Sequence, residues 1–419
     1  MKILVLGSGA REHAIVKALI RTGSSPENIV CAPGNAGISQ DAKCMTLDPN
    51  NSVEVTEFAK ANEIDLVVIG PEAPLVAGVG DTLRAAGIAV FGPSSAAAAL
   101  EGSKAFAKEV MAAADVPTGL ARKCSNLEEV SNALDELGAP YVVKADGLAA
   151  GKGVIVTSDK TAALEHAANF IQQGMGILVE EFLSGEEVSL FFLSDGNTVM
   201  PLAPAQDFKR AFDNDEGPNT GGMGAYSPLP WLADDFVTEV TNRVAVPTIR
   251  QMASMGNPFV GLLYCGLIVT DKGIKVIEFN ARFGDPETQV VLRRLVTPLA
   301  LLLHSAATGQ LASSPEPVFM DEVAITVVLA SEGYPVSAAP ARKITGLSEA
   351  ESDEHIEIAH AATKLQDGEL YATGGRVLSV VSVAKSFAKA RKHAYEAISK
   401  ISLEGSHYRT DIAKKVSDD

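Results

Sequence analysis

The sequence is short of the residues that mark several whole classes of protein. It has four cysteines in 419 residues, Cys31, Cys44, Cys124 and Cys265, with neither a CxxC pair nor metal-ligand spacing. That excludes a disulfide-stapled scaffold and a thiolate zinc site, and it points to a reduced, cytoplasmic compartment. Basic residues are outnumbered: 35 Lys and Arg stand against 52 Asp and Glu, a net charge of −17. A nucleic-acid binder needs a basic surface to neutralise phosphates, so no nucleic-acid partner is expected. Long apolar runs are missing as well. The most lipophilic later stretch, Leu299 to Leu303, is far below the roughly 20 residues that span a bilayer, so no membrane partner is expected. The opening run Met1 to Gly7 is too short for a signal peptide, and no small-residue cleavage site follows it. The seven histidines form no H-E-x-x-H and no spacing that suits a Ser-His-Asp triad.

What is present is ordinary globular composition, 47% hydrophobic and 21% charged, which argues against disorder. A chain of this length holds two to four domains. Strand and helix alternate over residues 1–92. Ile3–Leu6 is a β-run ending in Gly, and Ala14, Ile15, Ala18 and Leu19 follow at helical spacing. Ile29–Ala32, Leu66–Ile69 and Ile88–Phe91 read as further strands, and Val79–Ala86 as a helix. Such alternation predicts a parallel sheet covered by helices, with ligands bound at the carboxyl ends of its strands. From about Ser94 a second region carries the strands Tyr141–Lys144, Gly153–Val156 and Ile177–Glu181. Its hairpin, Gly261–Val269 with Ile274–Phe279, turns at residues 270–273. A Ser- and Pro-rich stretch, 309–317, reads as a linker to a last α+β region, whose final helix is capped by Ser386.

Five motifs bear on chemistry. The first is Gly7-Ser8-Gly9, after the first strand and opening a helix, followed by Glu12 and His13. Glycines there let backbone approach a phosphate at a helix N-terminus. A dinucleotide fingerprint would want a third glycine where Glu12 stands, and an acidic residue after the second strand, where Ala32-Pro33-Gly34-Asn35 occurs. A smaller phosphorylated ligand fits better, and a plain tight turn remains open on this motif alone. The second motif is Lys144 at a strand end, followed by a loop with Gly147, Gly151 and Gly153; a lysine so placed can pair with inner phosphates under a Gly-rich cover. The third is Glu180-Glu181-Phe182-Leu183 with Glu187 beyond, a strand running into a linker that can offer backbone to a purine and a carboxylate to a ribose; taken alone it is also a solvated acidic turn.

The fourth is Glu278-Phe279-Asn280 at the end of a strand. The side-chain period of two puts Glu278 and Asn280 on one face, with Arg282 continuing it. Two hard oxygen donors suit Mg²⁺ bridging phosphates, and an arginine beside them can stabilise a phosphoryl group or hold a carboxylate. The fifth is the polar segment 206–224, which includes Asp207, Lys209, Arg210 and Asp213. It reads as a long ordered loop able to hold an anionic intermediate or a small amino acid.

In that order, Lys104, Lys144 with its Gly-rich loop, the E-E-F-L hinge with Glu187 and the E-x-N strand resemble the ATP-grasp superfamily. Within it, residues 32–37, 70–75 and 282–289 are similar to the phosphoribosylamine–glycine ligase (glycinamide ribonucleotide synthetase) family, and the similarity runs on to residues 407–412. The resemblance implies a multidomain α/β and α+β fold. A Rossmann-like N-terminal parallel-sheet domain would span 1–102 and an ATP-grasp domain 103–310, with an ATP-clasping subdomain at about 117–190. A small α+β domain would cover 318–419. It also implies ligation of glycine to 5-phosphoribosylamine through a glycyl phosphate, at the cost of ATP, in purine biosynthesis, by a monomer or weak dimer. Lys104, Lys144, Gly151 and Gly153 would meet the ATP phosphates, Glu180, Glu181 and Leu183 the adenine, and Glu187 the ribose. Glu278 and Asn280 would hold Mg²⁺ or Mn²⁺. Gly9, Asn35, Gly37, Pro71 and Glu72 would line the phosphoribosylamine site, and Asp213 and Arg282 would face glycine or its acyl phosphate. The Gly-rich loop from Asp146 to Gly153 would act as a lid over the acyl phosphate. Another ATP-grasp carboxylate–amine ligase or carboxylase is the alternative within the superfamily. A nicotinamide-dependent oxidoreductase and a non-catalytic nucleotide binder are the readings from other classes.

Overall fold

The first strands assemble into one parallel sheet in the order Lys43–Cys44, Ile29–Pro33, Ile3–Gly7, Leu66–Ile69, Ala89–Phe91. Every residue of Ile3–Gly7 is buried, as a continuous apolar run must be in a sheet covered on both faces. The chain order reverses between Ile3–Gly7 and Leu66–Ile69, and a crevice opens beyond the carboxyl ends of strands at such a reversal. The two turns there are the Gly7–Gly9 turn and the Gly70–Pro71 turn. This computed structural model describes residues 1–147 and 153–417.

The middle of the chain makes two antiparallel sheets. A smaller one runs Ala121–Cys124, Ile177–Glu180, Tyr141–Ala145, Val154–Thr157. The helices Leu127–Leu137 and Lys160–Ile171 cover it through a separate small core that includes Val130, Leu134, Val143, Ala167 and Val179. The other sheet runs Val199–Pro201, Glu186–Asp195, Val260–Thr270, Gly273–Asn280. Its last two strands are the hairpin read from the sequence. The two sheets meet where Lys144 Nζ donates to the Ile277 carbonyl at 3.4 Å and the Thr118 hydroxyl to the Val276 carbonyl at 2.6 Å.

A third sheet, Gln206–Asp207, Gly224–Ser227, Val323–Ala330, Arg376–Ala384, Ile356–His360, draws strands from both sides of the 309–317 stretch. The helix Phe387–Lys400 packs on it, and the Ser386 hydroxyl accepts from the Lys389 N–H as its cap. The segment 206–224 is not the irregular loop that its composition predicted. Arg210–Phe212 pairs with Glu216–Asn219 around a turn with positive φ at Asn214 and Asp215. These strands are mostly exposed, so they carry no alternating apolar pattern, which is the signal by which a strand is read from sequence. Among the described residues no helix is long and apolar enough to cross a membrane.

Candidate active site

The strand Gly273–Asn280 ends in the pair Glu278 and Asn280, both partly exposed. Among the described residues neither side chain hydrogen-bonds to another protein group. Burial pushes the Glu278 carboxyl up, but Lys209, Lys144, Lys104 and Arg282 together outweigh it and hold the group below its usual range. The carboxylate is therefore anionic, has free lone pairs and is surrounded by cations. That donor set fits a hard divalent cation that also takes phosphate oxygens, because such an ion needs only one or two protein ligands. Clusters of three or more His, Cys, Asp or Glu ligands are absent among the described residues.

The small sheet supplies one of those cations, Lys144, and the helix Lys104–Ala113 another, Lys104. Lys144, 5% exposed, lies 3.1 Å from Glu180 Oε2. Lys108, which the sequence reading passed over, lies 3.1 Å from the same oxygen and also donates to the Thr118 hydroxyl and the Gly119 carbonyl. The Glu180 side chain is thus spent on two lysines. Burial and the Lys144 charge hold the Lys108 amine below its ordinary value in spite of Glu180. The Glu181 N–H donates to the Leu120 carbonyl at 2.8 Å, so that donor is not free for a purine edge. The Glu181 carboxylate accepts from the Leu120 N–H and from Lys275. Leu183 stands against Gly119. Lys104 begins the helix Lys104–Ala113 and donates to the carbonyls of Ala145 and Gly147, at 3.0 and 2.9 Å. Burial lowers its amine, against the pull of Glu278. Asp146 accepts from the Ser103 hydroxyl and the Ala105 N–H, and the Gly153 carbonyl accepts from the Ala145 N–H, so both ends of the Gly-rich loop are tied. Gly151, and most of the expected lid, lie outside the described residues.

Arg282 joins this end of the site to the parallel-sheet domain. Its guanidinium lies 3.1 Å from Glu101 Oε1 and 3.5 Å from Glu72 Oε2. Glu72 opens the helix Glu72–Val76, for which Pro71 is the N-cap residue, at the carboxyl end of Leu66–Ile69. Burial raises the Glu72 carboxyl, yet Arg282 brings it below the ordinary value. Glu101 is more deeply buried, and burial holds it above the ordinary value despite Arg282. Its second oxygen accepts from the Ala281 N–H at 2.7 Å. Sequence reasoning missed Glu101, because a single acid in an Ala-rich helix carries no pattern. Lys108 did leave one: it is four residues from Lys104 and shares its helix face.

The N-terminal turn departs from a dinucleotide site for a visible reason. Glu12, 2% exposed, folds back so that its Oε2 accepts from the Gly9 N–H at 2.6 Å, while Arg11 lies 2.6 Å from Oε1. A side chain at Gly70 would collide with the same carboxylate. The space between the two turns is therefore filled by Glu12. Asn35 and Gly37, expected to contact substrate, are largely occupied by protein. The Asn35 amide donates to the carbonyls of Ser8 and His360, at 2.8 and 2.7 Å, and its oxygen accepts from the N–H groups of Gly37 and Ile38. A Cβ at Gly37 would strike the rings of His360 and His13.

On the remaining side, Glu187 is paired with Lys209. Burial opposes the Lys209 charge, but Asp207 and Glu187 outweigh it and hold the amine well above its ordinary value. Burial, helped by Glu287 and opposed by Lys209, pushes the Asp207 carboxyl up to about 7. Glu287, 3% exposed, accepts from the Ser189 and Tyr264 hydroxyls at 3.0 Å each. Asp213, expected to face glycine or its acyl phosphate, has protein partners of its own. Its carboxylate accepts from the Thr410 N–H at 2.8 Å and from the Thr410 hydroxyl, and so is turned to residue 410. The reason is local: Asp213 opens the hairpin turn that is bound to the C-terminal segment, where buried Arg409 bridges Asp215 and Asp411. Arg376 is a further residue that the sequence did not mark. It donates to the carbonyls of Gly221 and Asp285 and pairs with the Asp285 carboxylate at 3.0 Å, holding the Gly221–Gly222 turn beside the 284–287 segment.

The chain matches the phosphoribosylglycinamide synthetase N domain over residues 1–101, the ATP-grasp (A) domain of that family over 102–288 and its C domain over 324–415. It is 63% identical over 418 residues to a phosphoribosylamine–glycine ligase of Leifsonia xyli subsp. xyli, covering 99% of this chain and 100% of that one. It is 55% identical over 419 residues to a phosphoribosylamine–glycine ligase of Streptomyces coelicolor, covering 100% of both. A crystal structure of phosphoribosylamine–glycine ligase from Thermotoga maritima matches it with a TM-score of 0.85 at 31% identity, covering 98% of this chain and 100% of that one.

Proposed function

From the premise that this chain belongs to the phosphoribosylglycinamide synthetase family, we propose an assignment of its residues to the steps of one ligation. The reaction is the ATP-dependent joining of glycine to phosphoribosylamine in purine biosynthesis, carried out by an ATP-grasp ligase. The observation that carries the assignment is the end of the strand Gly273–Asn280, where two oxygen donors without a protein partner among the described residues stand among the charges of Lys104, Lys144, Lys209 and Arg282.

The glycine carboxylate attacks the γ-phosphorus of ATP. The bond to the β–γ bridging oxygen breaks, leaving ADP and glycyl phosphate. The amine of phosphoribosylamine then attacks the acyl carbon, phosphate leaves, and the amine gives up a proton to form the amide. No covalent enzyme intermediate is needed, so the work of the protein is positioning and charge neutralisation. Lys104 and Lys144 hold the nucleotide phosphates. Glu180 and Lys108 keep the Lys144 ammonium directed at the Ile277 side of the strand. Adenine lies along Glu180–Leu183, and Glu187 accepts from the ribose. Because the Glu181 N–H and the Glu180 carboxylate already have protein partners, the remaining backbone groups of that hinge read the purine. Glu278 and Asn280 hold Mg²⁺ or Mn²⁺, which when bound neutralises charge on the phosphate oxygens. Arg282, kept extended between Glu72 and Glu101, presents one guanidinium to both halves of the reaction: the acyl phosphate on one side and the sugar-phosphate crevice, lined by Gly9, Pro71 and Glu72, on the other.

The test combines purified protein, ATP, Mg²⁺, glycine and freshly generated phosphoribosylamine, and follows ADP. ADP release that requires both glycine and phosphoribosylamine is expected. Equal release with bicarbonate or another amino acid would instead favour a different ATP-grasp ligase or carboxylase.

A further inference from the structure

The first motif contains a histidine that the reaction does not use. His13 is 1% exposed and lies in the helix Ala10–Arg21. Its Nδ1 accepts from the His360 backbone N–H at 2.8 Å, and its Nε2 lies 2.8 Å from Asp41 Oδ2. A nitrogen that accepts a backbone N–H carries no proton, so the ring is the neutral Nε2–H tautomer donating to Asp41. The carbonyl of the same His360 accepts from Asn35. Both backbone groups of one C-terminal residue are therefore held by side chains of the parallel-sheet domain.

The Asn35 carboxamide has two protons and two lone pairs, and all four are used. It has no capacity left for a substrate. Instead it joins three pieces of backbone: the Ser8 turn, its own loop at Gly37 and Ile38, and the end of the strand Ile356–His360. Gly37 lets the His13 and His360 rings close on the loop.

We propose that the C-terminal domain completes the sugar-phosphate site by a latch, in which His360 and His13 fix the Asn35–Gly37 loop against the Ser8 turn. Asn35, His13 and His360 are then positioning residues for phosphoribosylamine and not contacts to it. The proposal rests on the reading that the sugar phosphate binds beside Gly9 and Glu72. It follows that loss of the latch weakens that substrate alone, because the groups assigned to ATP and glycine belong to other strands and helices.

Two near-isosteric variants test this. His13→Asn keeps an amide oxygen near the Nδ1 position, able to accept from the His360 N–H. His13→Gln carries its amide near the Nε2 position and keeps only the Asp41 contact. The KM for phosphoribosylamine should rise about tenfold or more in His13→Gln and stay within about twofold in His13→Asn, with KM for ATP and glycine within about twofold in both. An unchanged KM for phosphoribosylamine in His13→Gln, or an equal rise for all three substrates, overturns the latch. If His13→Gln does not fold, Asn35→Asp carries the same criteria: it keeps the bonds from Gly37 and Ile38 but cannot donate to Ser8 or His360. Glu72→Ala separates the two readings. If it raises the KM for phosphoribosylamine while His13→Gln and Asn35→Asp do not, the site stands and the latch fails. If Glu72→Ala leaves that KM unchanged, the site assignment itself fails.

Discussion

Around Asn35, polar groups satisfy one another: the carboxamide makes four bonds to protein, and His13 and His360 each have their partners. Around Glu278 they do not. Four cations surround a carboxylate and an amide to which no protein donor is directed among the described residues. The same residue types, Asn beside Gly or Glu beside Arg, therefore do opposite work in the two places. Where partners are complete, the polar group builds shape. Where they are withheld, charge repulsion and desolvation are left for a ligand to relieve, which is the usual condition of a functional site.

The contrast can be broken by experiment. The largest effect is expected for Glu278→Ala. Turnover should fall on the order of 100- to 1000-fold, as for loss of one electrostatic group at a reacting centre, with thermal stability unchanged or raised. Steady-state kinetics and a melting curve check it, and near-normal turnover or a collapsed fold would erase the distinction.

Next comes Asn35→Ala, which should behave in the reverse manner. It leaves the Ser8 and His360 carbonyls and two N–H groups without their partner, at a cost of about 1–3 kcal/mol in unfolding free energy. Denaturant titration reads this directly. A variant of full stability would mean that water replaces the carboxamide at no cost.

The smallest effect is a slope. Burial holds the His13 ring below its ordinary value and takes His360 down to about 3, with the His13 charge adding to the shift. Between pH 6.5 and these lowered values the unfolded chain binds protons that the folded chain refuses. Stability therefore falls as pH falls, by at most about 1.4 kcal/mol per pH unit for each histidine. Asp41, lowered to about 2 by its His13 and Lys17 partners against burial, contributes in the opposite window: its stabilisation is present above the ordinary carboxylate value and is lost only as pH drops toward 2. Unfolding measured from pH 6.5 to 5 should thus show the histidine slope alone at this cluster, and His13→Asn should reduce it to the His360 contribution.

Much of this was legible in one dimension. The apolar runs and Gly-rich turns of residues 1–92 gave the parallel sheet, because a strand buried on both faces must be continuously apolar. The E-x-N spacing put Glu278 and Asn280 on one face through the period of two alone. Glu12 already argued against a dinucleotide, and its side chain does fill the space that the third glycine would leave. Segment 206–224 was misread, because a polar hairpin that is paired but hardly buried leaves no hydrophobic period. The turn of Asp213 to Thr410 was illegible for the same reason: the two are 197 positions apart, and no local pattern encodes a bond of that span.

Sequence by itself determined which residues could take part: strand ends with lysines, a carboxylate–amide pair, glycines at turns. Each of these follows from backbone geometry over a few residues. Only the tertiary structure decided which of them remain free. It assigned Glu180 to two lysines, closed Asn35 on itself and on His360, turned Asp213 to Thr410, and brought Glu101 and His360 to the site from segments with no signal of their own. A polar group is available to a ligand only if folding has left it without a partner, and the partner is chosen in three dimensions.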